Sequence, residues 1–254
     1  MIAIVSDIHG NLLALQAVLE DARSGGADTI WCLGDIVGYG PEPVACLAVL
    51  REQAAVIIKG NHEQAVIDGP YGFNPLAAAA IRWTRKQFLD ERGAPDENLR
   101  FITDLPVRAS LPTAELVHGS PAQPLDEYLF QEDTLDYLPR SRDYSPKLAR
   151  SFRLIDRPCF VGHTHVPGVI NHDLTWTSPI ECDGRYDTGG ESCIVNVGSV
   201  GQPRDGDTRA CYALYDGQHV LFRRVRYDLP GTAAAIRAIP ELPDALARRL
   251  EEGW

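Results

Sequence analysis

Residues Ile2–Asn11 read IAIVSDIHGN. Four apolar residues run into Ser6-Asp7-Ile8-His9-Gly10. A continuous apolar run of this length predicts a strand buried on both faces. Asn11 then precedes LLALQAVLEDARSGG, whose Leu12, Leu15, Val18 and Leu19 recur at helical spacing until Gly25-Gly26. Asn11 is read as that helix's cap rather than as a ligand. Asp28–Leu33 predicts a second strand, Pro43–Gln53 a second helix and Ala55–Lys59 a third strand. Such a β-α-β-α-β rhythm with short links implies a parallel sheet with right-handed crossovers.

Outward from this core the pattern changes. Pro75–Glu91 is an expected helix, Glu115–Val117 a short strand, and Pro121–Ile155 one or two helices. Strands are expected at Pro158–Val161, Val169–Asn171, Leu174–Thr177, Cys193–Val197, Ala210–Tyr215 and Val220–Tyr227. Asp216-Gly217 marks a hairpin between the last two. The tail Thr232–Glu252 reads as helix broken at Pro240 and Pro243. The expected architecture is a single domain, 1–254, of two packed β-sheets flanked by helices.

The 254 residues are 44% hydrophobic and 23% charged, which excludes disorder, collagen and coiled coil. The formal net charge of -11 gives no general pull toward nucleic acid or anionic membranes. No apolar stretch approaches the roughly 20 residues of a membrane span. No signal-peptide pattern is read, and six Cys without a CxxC pair suit reduced thiols in a cytoplasmic protein. Cys32, Cys159, Cys193 and Cys211 are expected in the core. No oligomeric state is legible.

The expected strands end on polar clusters, and ligands collect at the carboxyl ends of strands in open α/β sheets. Collected there are Asp7, His9, Asp35, Asn61, His118, His163 and His165. Seven donors exceed the three or four that one tetrahedral metal needs and fit two ions sharing a bridge. An oxygen and nitrogen set without sulfur suits Mn²⁺, Fe²⁺, Zn²⁺ or Ni²⁺. The Asp-x-His and His-x-His spacings are expected to put side chains on one side of an extended segment. His172 and His219 fall outside these motifs and are read as ordinary surface or core residues. Tyr39, Tyr71 and Phe73 are expected to pack or face solvent.

Asp7-x-His9, Gly34-Asp35, Gly60-Asn61-His62-Glu63, His118-Gly119 and Gly162-His163-Thr164-His165, in this order, resemble the calcineurin-like metallophosphoesterase superfamily. Asn196-Val197-Gly198-Ser199-Val200 adds a resemblance to its small bacterial and archaeal phosphodiesterase branch. The resemblance implies a four-layer α/β-β/α sandwich of two mixed sheets. It implies Asp7, His9 and His165 on one metal, Asn61, His118 and His163 on a second, and Asp35 bridging. His62 would be the neighbouring acid or phosphate-contacting imidazole, expected in its protonated form. Two such ions sit roughly 3.5–4 Å apart and generate a bridging hydroxide that attacks phosphorus in line.

The chain departs from both relevant branches. Members of the small phosphodiesterase branch carry Cys where this chain has His62. The GNHE form resembles protein phosphatases and dinucleotide polyphosphate hydrolases, yet no Arg follows Asp35 as it does there. Arg204, in a Gly-rich loop after a strand, is a candidate substitute cation. The expected function is hydrolysis of small organic phosphodiesters or nucleotides. A phosphomonoesterase is the alternative, and a non-catalytic scaffold is disfavoured by the complete donor set. A nuclease, stable nucleic-acid binding and membrane association are disfavoured by the acidic balance.

Overall fold

A computed structural model describes residues 1–134 and 145–254. The first strands and helices alternate: β1 (Ile2–Val5), α1 (Leu12–Ser24), β2 (Thr29–Cys32), α2 (Pro43–Gln53), β3 (Val56–Ile57). Asn11 caps α1 by accepting a hydrogen bond from the Ala14 N–H. Three helices follow, α3 (Asn61–Asp68), α4 (Pro75–Gln87) and α5 (Glu97–Asp104). Then come β4 (Arg108–Leu111), β5 (Ala114–Val117), a 3₁₀ turn at Gln131–Thr134, α6 (Pro146–Phe152), β6 (Cys159–Val161), β7 (Gly168–Asn171) and β8 (Trp176–Thr177). The chain continues through β9 (Arg185–Asp187), β10 (Cys193–Asn196), β11 (Ala210–Tyr215), β12 (His219–Val225), α7 (Leu229–Arg237) and α8 (Asp244–Glu252).

Two mixed six-stranded sheets result, ordered β3-β2-β1-β11-β12-β9 and β4-β5-β6-β10-β7-β8. β1, β2 and β3 run parallel, as the β-α-β-α-β reading requires. So do β5, β6 and β10 in the second sheet. The hairpin at Asp216-Gly217 joins β11 to β12.

Period-two alternation sorts the side chains into layers. In β1, Ala3 and Val5 pack against helices α1 and α2, while Ile4 faces the other sheet. In β11, Tyr212 and Leu214 take the helix side, and Ala213 and Tyr215 the sheet side. Phe160 and Val195 meet Ile4 between the sheets, and Val161 and Ile194 pack outward with Leu148 of α6. The molecule is thus a four-layer α/β-β/α sandwich whose central strands, β1, β6, β10 and β11, are buried on both faces. Helices α4, α7 and α8 add a smaller apolar cluster around Trp83, Ile236 and Leu246.

Several expectations shift. Helices α3 and α5 and strands β4 and β9 were not predicted. The expected helix to Glu91 stops at Gln87, where Leu89 bridges Pro95. Of the helices expected in Pro121–Ile155, α6 and the 3₁₀ turn are present, and 135–144 lies outside the described residues. Cys32, Cys46, Cys159, Cys193 and Cys211 are buried free thiols. Among the described residues no helix is long and apolar enough to cross a membrane.

Candidate metal centre

The carboxyl ends of the parallel strands of both sheets converge on one point. β1 delivers Asp7 and His9, β2 delivers Asp35, and the start of α3 delivers Asn61 and His62. β5 delivers His118, and β6 delivers His163 and His165. All eight side chains are buried.

The predicted convergence is correct but its cause is not an extended segment. Asp7, His9, Asp35, His163 and His165 all have left-handed backbone, with φ of 53°, 49°, 50°, 68° and 62°. Outside glycine this region costs roughly 1–2 kcal/mol per residue, and Asp and His are among the residues that enter it. Each donor therefore lies on a sharp turn after its strand, where strain is retained by the surrounding fold. Gly60 and Gly162 permit close approach, since a Cβ there would lie 2.1 Å from Asp35 Oδ1 and 2.4 Å from Asp7 Oδ2 respectively.

Backbone carbonyls fix the imidazoles. Nδ1 of His9 donates to Val37 O (3.1 Å), Nδ1 of His165 to Gln202 O (2.5 Å) and Nδ1 of His118 to Leu33 O (2.9 Å). Nε2 of His163 donates to Asp126 O (3.3 Å). In the neutral rings the remaining nitrogens are then lone-pair acceptors. They face each other in pairs: His9 Nε2 and His165 Nε2 at 3.1 Å, His118 Nε2 and His163 Nδ1 at 3.2 Å. Opposed lone pairs at these separations repel unless a cation lies between them.

Carboxylates complete two donor clusters that share no residue, Asp7-His9-His165 and Asp35-His118-His163, and a third group, His9-Asp35-His62, overlaps both. Asp7 Oδ1 is 3.2 Å from His165 Nε2, and Asn61 Oδ1 is 3.1 Å from His118 Nε2. Asp35 reaches both clusters. Its Oδ2 lies 3.7 Å from His9 Nε2 and 3.3 Å from His118 Nε2, while its Oδ1 accepts from the His62 backbone N–H at 2.8 Å. Borderline nitrogen and hard oxygen donors in this number fit divalent first-row ions.

The electrostatics agree. Burial pushes His9 and His165 below the usual imidazole range, and His163 down to about 3. Burial also works against charge on His118, yet the carboxylates of Asp35, Asp7 and Glu63 lift it to about 9. A proton on His118 thus stands where a cation belongs. Burial opposes charge on Asp7 and Asp35 as well, but the surrounding imidazoles, His165 and His118 foremost, hold both below the usual carboxylate range.

His62 stands apart. Its Nε2 is 4.0 Å from Asp35 Oδ2, and its buried Nδ1 has no partner. That nitrogen is pressed against Gly38, where a Cβ would lie 2.1 Å away. Burial is the main reason its pKa falls to about 4. Arg204 is also brought to the site. It lines the same cavity of about 320 Å³ as Asp35, Asn61, His62, His163 and His165. Its Nη2 donates to Gln202 Oε1, and its buried Nε has no partner among the described residues. His172 and His219 lie elsewhere, beside Glu191 and Asp216.

Two supports escaped the sequence reading. Glu63, fully buried, accepts from the backbone N–H groups of Asp35, Ile36, Val37 and Gly60 at 2.8–3.1 Å. Burial and the nearby Asp35 charge push its carboxyl up to about 7. Its position three residues after the Gly60 cap was the available signal. Tyr128 stacks on His163 with ring centroids 3.7 Å apart, and no local pattern announces it. Tyr39 and Phe73 do pack as expected, against His9 and His62 and against His62 respectively. The Asn196–Val200 segment also gains a role. Asn196 Nδ2 donates to Gly162 O and Thr164 Oγ1, and Ser199 Oγ donates to Asp7 O.

The chain is similar to known proteins. The chain is similar in structure to a metallophosphoesterase from Sphaerobacter thermophilus, with 40% identity, a TM-score of 0.82, and coverage of 100% of this chain and 98% of that one. It is 34% identical over 262 residues to an uncharacterized protein of Methanocaldococcus jannaschii, covering 98% of this chain and 97% of the relative. A shorter likeness, 39% over 62 residues and 23% of each chain, links it to a symmetrical bis(5'-nucleosyl)-tetraphosphatase of Thioalkalivibrio sulfidiphilus. The calcineurin-like phosphoesterase superfamily domain matches residues 1–219, and the chain belongs to that superfamily.

Proposed function

We propose that the chain is one metallophosphoesterase domain over 1–254 that hydrolyses small organic phosphodiesters or nucleotides with two divalent ions. Asp7, His9 and His165 would hold one ion, and Asn61, His118 and His163 the other. The observation that carries this reading is Asp35 Oδ2, placed between His9 of one cluster and His118 of the other. Bound ions would supply Lewis-acid activation of the phosphoryl group and of water.

The protein's own groups do the rest. The His62 backbone N–H fixes Asp35 so that one oxygen is left to share. His62 would donate a proton to the departing oxygen or contact the phosphate. The Arg204 guanidinium, with its free Nε–H, suits a non-bridging phosphate oxygen. Tyr39 and Phe73 wall the His62 side against water.

The test combines elemental analysis with assays of bis(4-nitrophenyl) phosphate and 4-nitrophenyl phosphate in Mn²⁺, Fe²⁺, Zn²⁺ and Ni²⁺. Two ions per chain and faster diester turnover are expected. Faster monoester turnover would favour the phosphomonoesterase reading, which the partial likeness to the tetraphosphatase supports. Two bound ions with no turnover of either ester would sink the enzymatic reading.

A further inference from the structure

The cavity over the donor clusters has thirteen lining residues, of which four are aromatic: Tyr39, Tyr71, Phe73 and Tyr128. Aromatics are 8% of the chain, so the wall is enriched. Tyr39 and Phe73 are committed to the imidazoles. Tyr128 already stacks on His163 and on Phe130, whereas Tyr71 is 84% exposed. The Tyr71 ring, at the cavity mouth with its face in water, is a stacking surface without a partner among the described residues.

Polar groups stand beside these rings. Asn74 lines the same cavity and uses its Oδ1 to accept from the Ala77 N–H, which leaves its amide N–H₂ to donate elsewhere. Asp126 also lines the cavity, and its carboxylate repels any second phosphate on that side. Arg204 is the one cation among the described lining residues. The cavity therefore suits one phosphoryl group attached to a planar, hydrogen-bonding organic group. It is poorly suited to a polyphosphate chain.

We propose that Tyr71 is the recognition wall for a nucleoside attached through a single phosphodiester phosphorus. This rests on the phosphoesterase reading above. Asn74 would donate to the base, and Asp126 would accept from a base amine or a ribose hydroxyl.

The experiment holds the leaving group constant. Thymidine 5'-(4-nitrophenyl phosphate) is compared with methyl 4-nitrophenyl phosphate on the Mn²⁺-loaded protein. Base–aromatic stacking predicts a kcat/KM ratio of about 10 to 100 in favour of the nucleoside ester. Tyr71→Ala should cut that ratio several-fold, and Tyr71→Phe should preserve it. Equal kcat/KM for both esters overturns the proposal and leaves the phosphoesterase reading standing. Higher kcat/KM on diadenosine tetraphosphate than on the thymidine ester overturns it as well. Calorimetry with AMP and methyl phosphate gives a readout without turnover. Tighter AMP binding, weakened by Tyr71→Ala, supports the wall even if both esters resist hydrolysis, and equal affinities overturn it.

Discussion

The two donor clusters are built from the same residue types but sit in different surroundings. Asp7, His9 and His165 form the more sealed cluster: Gln202 and Val37 carbonyls hold the rings, Ser199 holds the Asp7 backbone, and of the three only His165 lines the cavity. Asp35, Asn61 and His163 of the open cluster all line it, above a fully buried His118, and His163 is covered by an exposed Tyr128 ring. The sealed cluster is suited to retaining an ion. The open one is suited to exchanging it and to meeting substrate.

The sharpest way to break this contrast is at the residue common to both sides. Asp35→Asn should lower turnover at least about 100-fold and remove at least one ion, because loss of a shared ligand exceeds the 10–100-fold typical of an outer partner. Stepwise chelation of the unaltered protein should release the open cluster's ion first. Simultaneous loss, followed by elemental analysis, would erase the distinction.

His62→Ala comes next. As a general acid His62 should be worth roughly 10²–10⁴-fold in kcat. Metal content should stay at the unaltered level, and loss of an ion would make His62 a ligand.

Glu63→Gln acts on the scaffold beneath both clusters. The amide keeps one acceptor oxygen where two now serve four buried N–H groups. Orphaned buried donors cost about 1–3 kcal/mol each, so a loss of about 3 kcal/mol is expected. In a chain of this size that is a drop of roughly 6–12 °C in Tm by calorimetry. An unchanged Tm would mean that the four N–H groups find other partners.

The smallest expected effect separates the clusters again. Ser199→Ala removes the hydroxyl that donates to Asp7 O and accepts from the Gln202 N–H. It should weaken the sealed site by about tenfold at most and leave the open one unaffected, as read by metal titration.

Most of the scaffold was legible because it repeats simple periods. The Ile2–Ile57 alternation, the Pro43–Gln53 helix and the Asp216-Gly217 hairpin follow from apolar spacing and turn residues. Helix α5 was missed because its eight residues bury only Leu99 and Ile102, too few for a period to show. Helix α3 was hidden because its first turn is also the Asn61-His62-Glu63 motif. The donors were legible as residue types at strand ends. Their left-handed backbone was not, since it is imposed by tertiary contacts rather than local preference. Glu63 was quoted within a motif, but three of its four bonds connect segments 26 to 28 residues apart.

The order of the chain sets when an ion can be selected. Every donor is present once His165 has been made, yet β11, which pairs with β1 at the middle of its sheet, ends at Tyr215. About 50 more residues (215 minus 165) must therefore follow, or some 3 to 10 seconds of synthesis at ordinary rates. In that interval the loose donors discriminate among ions by intrinsic affinity, which favours Cu²⁺ over Mn²⁺. Only the closed sandwich adds geometry and exclusion. The cellular pool during synthesis, as much as the finished pocket, then decides which metal is carried. Refolding in mixed ions should yield a more copper-rich protein than loading the folded chain from the same mixture, and equal compositions would place selection in the finished pocket.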